Sequence, residues 1–491
     1  MTAEASSKDA AAMQVLHNAS LKDAMPTHKF GGRPAGLLLP FVAVTCFLAV
    51  SFAQYVFFDI PSSIGQYLID DIGIRESQYG FITAIYSVPN IILPLFAGLL
   101  CDNFGRARSY ILYYSLVVLG SFVFNLGAAY PASANSWTAF IVMVLGRGIF
   151  ALGGDNGLVA NDVIISMIMP KRFITFSLTI SILVGRLGSF FAMNTIPFAV
   201  SRLGLTAVMY GTMPLLVPFT LAYLTAGIVG YITIKRRKLI LKATTVKPDV
   251  EEFPTAEADV RPATTPLYAR VGALFRVPSV GILLALLILP SAGIVGFGWT
   301  SVGQVVLVAR CGLSPTAASR LVSVTELIAM VSPLWGFLID RLRGQLLLMI
   351  ISALCSITAF AMLIITPRWP LIPMIMQGLA FSIVTPSCWS SVPLCLPKAK
   401  IGITLGLLTC SLNLGMALTG FIGPTLLNID PRVTLLWFLG AGVLTLIVTA
   451  VFIVYDIFGN KGRLIWNRWS GLDVEDAVVI ENKLYATANQ S

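Results

Sequence analysis

Two opposite charges interrupt two neighbouring apolar stretches, symmetrically about one short basic turn. Asp155 closes the run Val142-Met143-Val144-Leu145-Gly146-Arg147-Gly148-Ile149-Phe150-Ala151-Leu152-Gly153-Gly154-Asp155, and Arg186 lies within Ser181-Ile182-Leu183-Val184-Gly185-Arg186-Leu187-Gly188-Ser189. The turn between them is Pro170-Lys171-Arg172. Each charge is about 15 residues from it, so helical rise places both ~22 Å away, at a common depth in a bilayer. A charge at that depth costs several kcal/mol unless paired, and is kept for a pathway, a ligand or a lock. A carboxylate and a guanidinium at one level suit a zwitterion. The anion takes an ammonium, and the arginine fork takes a carboxylate through two hydrogen bonds. The structural alternative is a plain salt bridge locking one helix to the next.

The elements that must position this pair are membrane helices. The 491 residues are 56% hydrophobic and only 11% charged, with a mean hydropathy of +0.84. A water-soluble domain of that composition would have a largely greasy surface. Apolar runs of spanning length predict an all-α membrane protein with twelve transmembrane helices, near 36–60, 77–101, 109–130, 138–168, 173–200, 212–235, 278–309, 315–339, 345–366, 369–396, 399–426 and 431–456. The fourth, fifth, seventh, tenth and eleventh are long enough to tilt or bend.

Most of the 33 basic residues fall on one side if both termini are cytosolic, as the positive-inside rule requires. The net charge of +10 then reflects topology, and nucleic acid need not be invoked. Lys235-Arg236-Arg237-Lys238 is placed to meet anionic lipid headgroups. The seven cysteines are scattered without metal-ligand spacing or a disulfide framework, and His17 and His28, both in the amino tail, are the only histidines. No catalytic set or phosphate-binding loop is found, so an enzyme is not expected, nor a cofactor.

Five regions are expected: a cytosolic tail 1–35, a six-helix bundle 36–235, a cytosolic linker 236–276 rich in Pro, Thr and charge, a second six-helix bundle 277–456, and a cytosolic tail 457–491. The halves echo each other. Gly98-Leu99-Leu100-Cys101-Asp102-Asn103-Phe104-Gly105-Arg106-Ala107-Arg108 follows the second span, and Gly336-Phe337-Leu338-Ile339-Asp340-Arg341-Leu342-Arg343-Gly344 follows the eighth. The first of these loops resembles the signature of the major facilitator superfamily, and the second is a degraded copy. The resemblance implies two pseudo-symmetric six-helix bundles rocking about a central site. It also implies that Asp102, Gly105, Arg106 and Arg108, with Asp340 and Arg341, control the conformation through a cytosolic charge relay.

Further motifs narrow the likeness. Tyr55-Val56-Phe57-Phe58-Asp59-Ile60-Pro61, Ile85-Tyr86-Ser87-Val88-Pro89-Asn90, the Gly146–Asp155 run, Arg186-Leu187-Gly188-Ser189, Met193-Asn194, Trp389 and Ser411-Leu412-Asn413-Leu414-Gly415 resemble a lysosomal dipeptide-transporter branch of that superfamily. Carried over, the substrate contacts of that branch fall on Asp155 for the peptide amino terminus, where relatives have Glu, and on Arg186 for the carboxylate. Gln304 stands where the branch tends to place a Lys. The resemblance implies lysosomal export of small zwitterionic peptides by alternating access, most simply as a uniporter, with an accessory lumenal glycoprotein as a possible partner. No acidic dileucine sorting signal of the family's type is found in the amino tail, which leaves the plasma membrane open.

Other residues carry two readings each. Tyr55, Tyr86, Trp389 and Asn413 either line the cavity or pack helices. Arg147 is a structural or a substrate-contacting cation. Asp59, just before Pro61, is a ligand contact or a helix-terminal residue. Glu326 lies ~21 Å from Asp340 along its helix, and either pairs with Arg320 or Arg310 or couples protons. The pairs Gly153-Gly154 and Gly185 with Gly188 mark close helix contact. A proton-coupled carrier of another small organic solute (an amino acid, organic anion or drug) is the main rival reading, and a non-transporting receptor is the second.

Overall fold

Twelve helices long and apolar enough to cross a membrane make up the described chain. The computed structural model describes residues 35–96, 104–130, 136–168, 174–243, 279–342, 344–395 and 398–459. No strand occurs among them. The spans are Thr45–Ser63, Glu76–Phe96, Arg106–Ala128, Ser136–Ile165, Ser177–Leu203, Leu205–Thr233, Ser279–Cys311, Pro315–Ile339, Gln345–Ile365, Leu371–Val392, Thr404–Leu427 and Pro431–Phe458. All lie within one compact unit, Ala43–Ser491. Large apolar side chains such as Trp137, Ile141, Leu145, Leu221 and Val451 project outward, which suits lipid as the surrounding solvent.

Glycines set the closest approaches. The third and fourth spans form the most extensive helix pair, because Gly120 faces the backbone of Phe150 and Gly146 faces that of Phe124. Gly80 and Gly420 cross in the same way between the second and eleventh spans. The glycines singled out in the sequence behave alike: Gly185 lies under the Tyr55 ring, Gly188 against the Phe52 carbonyl and Gly153 against that of Tyr113. Gly105, with φ +96°, lets the chain turn sharply into the third span.

Two boundaries differ from expectation. The sixth span starts at Leu205, because Gly204 turns the chain at φ +83° directly after the fifth. Its helix then runs on to Ala243, well inside the expected linker. Lys and Arg are good helix formers, and their charge is favourable near a helix carboxyl end. Residues 244–276 of the linker, 277–278 after it, and the tails before residue 35 and after 459 lie outside the described residues.

The internal echo extends to helix breaks. The second span's helix stops at Asn90, one residue past Pro89, and the eighth stops at Ala329 and resumes at Ser332 beside Pro333. The seventh span breaks its α-helical winding by another route, with π-helical turns from Leu289 to Gly298 that carry Pro290 in their first turn.

Candidate functional site

Asp155 and Arg186 do not bond to each other. Each has a partner in the opposite half of the chain. The Tyr86 hydroxyl donates to Asp155 Oδ1 at 2.5 Å, and Asn413 Nδ2 donates to Oδ2 at 2.7 Å. Arg186 Nη1 donates to Glu326 Oε2 at 2.7 Å, in an ion pair whose two side chains are both buried. The guanidinium lies over the rings of Phe297 and Phe381, 4.8 and 4.2 Å from their centroids. The plain Asp155–Arg186 salt bridge is therefore replaced by two separate links, fourth span to eleventh and fifth to eighth.

Beside Asp155 is a small cavity of about 50 Å³. Gln54, Tyr55, Phe58, Tyr86, Asp155 and Leu158 line it from the first half, and Phe297, Leu412 and Met416 from the second. Tyr55, Tyr86 and Asp155 thus meet around one cavity. Asn413 reaches the site through its bond to Asp155, and also donates to the Thr409 carbonyl. Arg186 stands behind Phe297 and does not line the cavity wall.

The remaining candidates lie further off. Arg147 is buried behind the wall, its guanidinium within 4.9, 4.8 and 5.3 Å of the Phe58, Tyr86 and Phe150 ring centroids. Its Nε has no hydrogen-bond acceptor among the described residues. Such a cation stiffens Phe58 and Tyr86 from outside the cavity. Asp59 is buried within the helix Ala35–Ser63 and accepts from Ser62 Oγ at 3.2 Å, so it does not terminate the helix. Trp389 packs against the apolar core of the second half, with Val392, Leu408 and Phe452. Glu326 pairs with neither Arg320 nor Arg310. Arg310 donates instead to the carbonyls of Leu363 and Ile364, and Arg320 lies over Phe198.

Of the relay residues, Asp102 lies outside the described residues. Gly105 precedes the first turn of the third span, which contains Arg106 and the exposed Arg108. Asp340 and Arg341 fall in the last turn of the helix Ser332–Leu342.

Gln54 and Phe297 are among the lining residues that the sequence reading missed. Gln54 donates Nε2 to the Gly154 carbonyl at 2.9 Å, and its buried Oε1, an acceptor, has no hydrogen-bond partner among the described residues. A lone amide in an apolar span is a signal the sequence did offer. Phe297 had no such signal, because its place depends on the π-helical turns.

A seam of hydrogen bonds joins the fifth span to the eighth. Thr316 Oγ1 donates to the Pro197 carbonyl at 3.3 Å, Ser319 Oγ to that of Met193 at 2.8 Å, and Asn194 Nδ2 to Ser323 Oγ at 2.7 Å. The next residue of this series on the eighth span is Glu326. At the same end Gln304 donates to the Ser63 carbonyl at 2.5 Å and accepts from the Gln66 amide, while the Tyr79 hydroxyl donates to the Ser301 carbonyl at 2.6 Å. The two halves are thus closed against each other at the end bearing the Gly73 and Gly312 turns.

Known proteins agree with this architecture. The chain is 24% identical to the lysosomal dipeptide transporter MFSD1 of Danio rerio, over 85% of this chain and 87% of that one. It is 25% identical to the Homo sapiens protein of the same name, over 78% of each. Among solved structures, it is similar to a POT family transporter in complex with a thioalcohol-conjugated peptide, with TM-score 0.61 and 12% identity over 89% of this chain and 99% of that one. The nucleoside transporter NupG superposes with TM-score 0.57 at 16% identity, over 84% of this chain and 99% of that one. The sequence profile of the Major Facilitator Superfamily matches residues 45–420 and 312–464. By that match, and with twelve spans in place, the chain is a membrane transporter belonging to the Major Facilitator Superfamily.

Proposed function

We propose that this transporter moves small zwitterionic peptides, dipeptides above all, across the lysosomal membrane by alternating access, most simply as a uniporter. The observation that carries the reading is the placement of Asp155 and Arg186. Asp155 stands in the cavity wall, and Arg186 stands behind the Phe297 ring that forms another part of that wall. A peptide ammonium has three donors to place. Asp155 has oxygen lone pairs beyond those taken by Tyr86 and Asn413, and Gln54 Oε1 on the same wall is an acceptor without a donor among the described residues. Arg186 is the fork for the carboxylate. The names of the relatives point the same way.

In this reading both termini are cytosolic, and the closed end at Gln304 faces the lumen. The relay of Asp102, Gly105, Arg106 and Arg108 with Asp340 and Arg341 belongs to the cytosolic gate. An accessory glycoprotein would cover the lumenal loops, which carry no Asn-x-Ser/Thr acceptor between the spans. A second reading, a proton-coupled carrier of another small solute, is favoured by one observation: Glu326 is an acid at bilayer depth in contact with the site.

The test is uptake by proteoliposomes of labelled dipeptides, amino acids and organic anions, with internal pH followed throughout. Saturable dipeptide flux without acidification supports uniport. Flux of another solute with stoichiometric acidification replaces it with the second reading.

A further inference from the structure

We propose that Glu326 is a built-in rival for the substrate carboxylate, which takes Arg186 over as one end of the transporter closes and so drives the substrate off. This rests on the assignment of Arg186 as the carboxylate fork, and concerns how that fork is emptied.

The position of Glu326 carries the argument. Its carboxylate already makes the contact that a peptide carboxylate would make, charge to charge on Arg186 at 2.7 Å. Two carboxylates on one guanidinium, in a setting walled by Phe297 and Phe381, repel each other and compete for the same donors. A tethered competitor acts at a high effective concentration, so it can displace a solute present in the millimolar range.

The seam makes this competition depend on conformation. Thr316, Ser319 and Ser323 bond to the fifth span, and Glu326 continues the same helix face at helical spacing. Glu326 reaches Arg186 because the eighth span lies along the fifth. Parting these spans at the Gly312 end draws the carboxylate away and leaves Arg186 open to a ligand. The fork is thus free when that end is open and filled when it is sealed. With that end lumenal, substrate is accepted from the lumen and expelled on the other side.

The displacement conserves charge: one carboxylate leaves Arg186 as another arrives, and no proton is required. The charged and titratable groups near enough to Glu326 to act on it electrostatically are Arg186 on the fifth span, with Tyr55 and Asp59 on the first. Asp59 is an acid like Glu326 and does not replace Arg186 as its partner.

The experiment compares purified wild type with Glu326→Gln and Glu326→Asp, measuring binding of a free dipeptide and its carboxyl-terminal amide, then net flux in proteoliposomes. Removing the rival lifts a conformational tax on the fork, so Glu326→Gln should bind the free dipeptide about tenfold tighter. KM and the net turnover number should fall together, because release is now slow. Glu326→Asp keeps the charge on a shorter arm, and should bind with an affinity between the other two even if the glutamine variant folds poorly. Affinity for the amide should be the same in all three proteins. Unchanged or weaker binding of the free dipeptide in both variants, with Arg186→Ala abolishing binding, overturns the rival role and leaves the fork assignment standing. Wild-type binding by Arg186→Ala overturns both.

Discussion

Arg186 and Glu326 face each other at 2.7 Å across the two halves of the chain, 140 residues apart in sequence. The fifth and eighth spans meet along a polar seam that ends at this pair. A buried ion pair of this kind is a weak source of stability, since desolvation offsets most of the attraction. Its value lies in being exchangeable.

Replacing Arg186 by Ala should abolish saturable dipeptide uptake while leaving membrane delivery intact. Arg186→Lys should retain only a small fraction of activity, because a point charge does not reproduce the planar fork. Flux in proteoliposomes, normalised to reconstituted protein, decides this. Wild-type rates from correctly inserted Arg186→Ala would remove the residue from the site.

At the ammonium end, Asp155→Asn should weaken binding of free dipeptides by ~2–4 kcal/mol, as when one partner of a desolvated charge pair is removed. N-acetylated dipeptides should compete poorly at wild type and be indifferent to the substitution. Asp155→Glu should be partly active. Competition assays with the free and acetylated peptide read this directly, and equal competition at wild type would mean that the ammonium is not recognised.

Gln304 holds the closed end by two strong contacts, to the Ser63 carbonyl and from the Gln66 amide. Gln304→Ala should favour opening there by about 1–3 kcal/mol, the usual range for losing buried polar bonds. A cysteine introduced at Ser62, buried beside this closure, should be labelled severalfold faster by a membrane-impermeant maleimide. Unchanged labelling would place the closure elsewhere.

Gly146 offers a test of packing alone. Its missing side chain admits the backbone of Phe124 on the third span. Gly146→Val should destabilise the protein by roughly 1–3 kcal/mol or more through overpacking, seen as a lower melting temperature in detergent. Gly148, with open space where its side chain would be, should tolerate alanine with little change.

The spans were legible in the sequence because they follow from a local rule, apolar length. The roles of individual glycines were legible for the same reason, since only small residues admit a neighbouring backbone. What the sequence left open was pairing between helices distant in the chain. Glu326 had two nearby arginines to choose from, yet bonds to a third on another span, because the seam between spans decides the choice. Arg147 and Asp155 lie on one helix, yet only Asp155 enters the cavity wall, because Phe58 and Tyr86 come between Arg147 and the space. Trp389 could line the cavity or pack helices on the sequence alone, and it packs against the apolar core of the second half, a distinction that depends on which helix face turns inward.

The cavity wall divides unevenly between the halves. Every polar lining residue, Gln54, Tyr55, Tyr86 and Asp155, comes from the first six spans, and the last six supply Phe297, Leu412 and Met416. A cargo gripped by its ends would therefore ride with the first half, while the second half slides past it as a greased shutter. A thioether and branched or aromatic carbons adapt to many shapes and demand no matching hydrogen bond. The variable side chains of such cargo would be sorted by bulk rather than by chemistry, so that one carrier serves a crowd of related molecules.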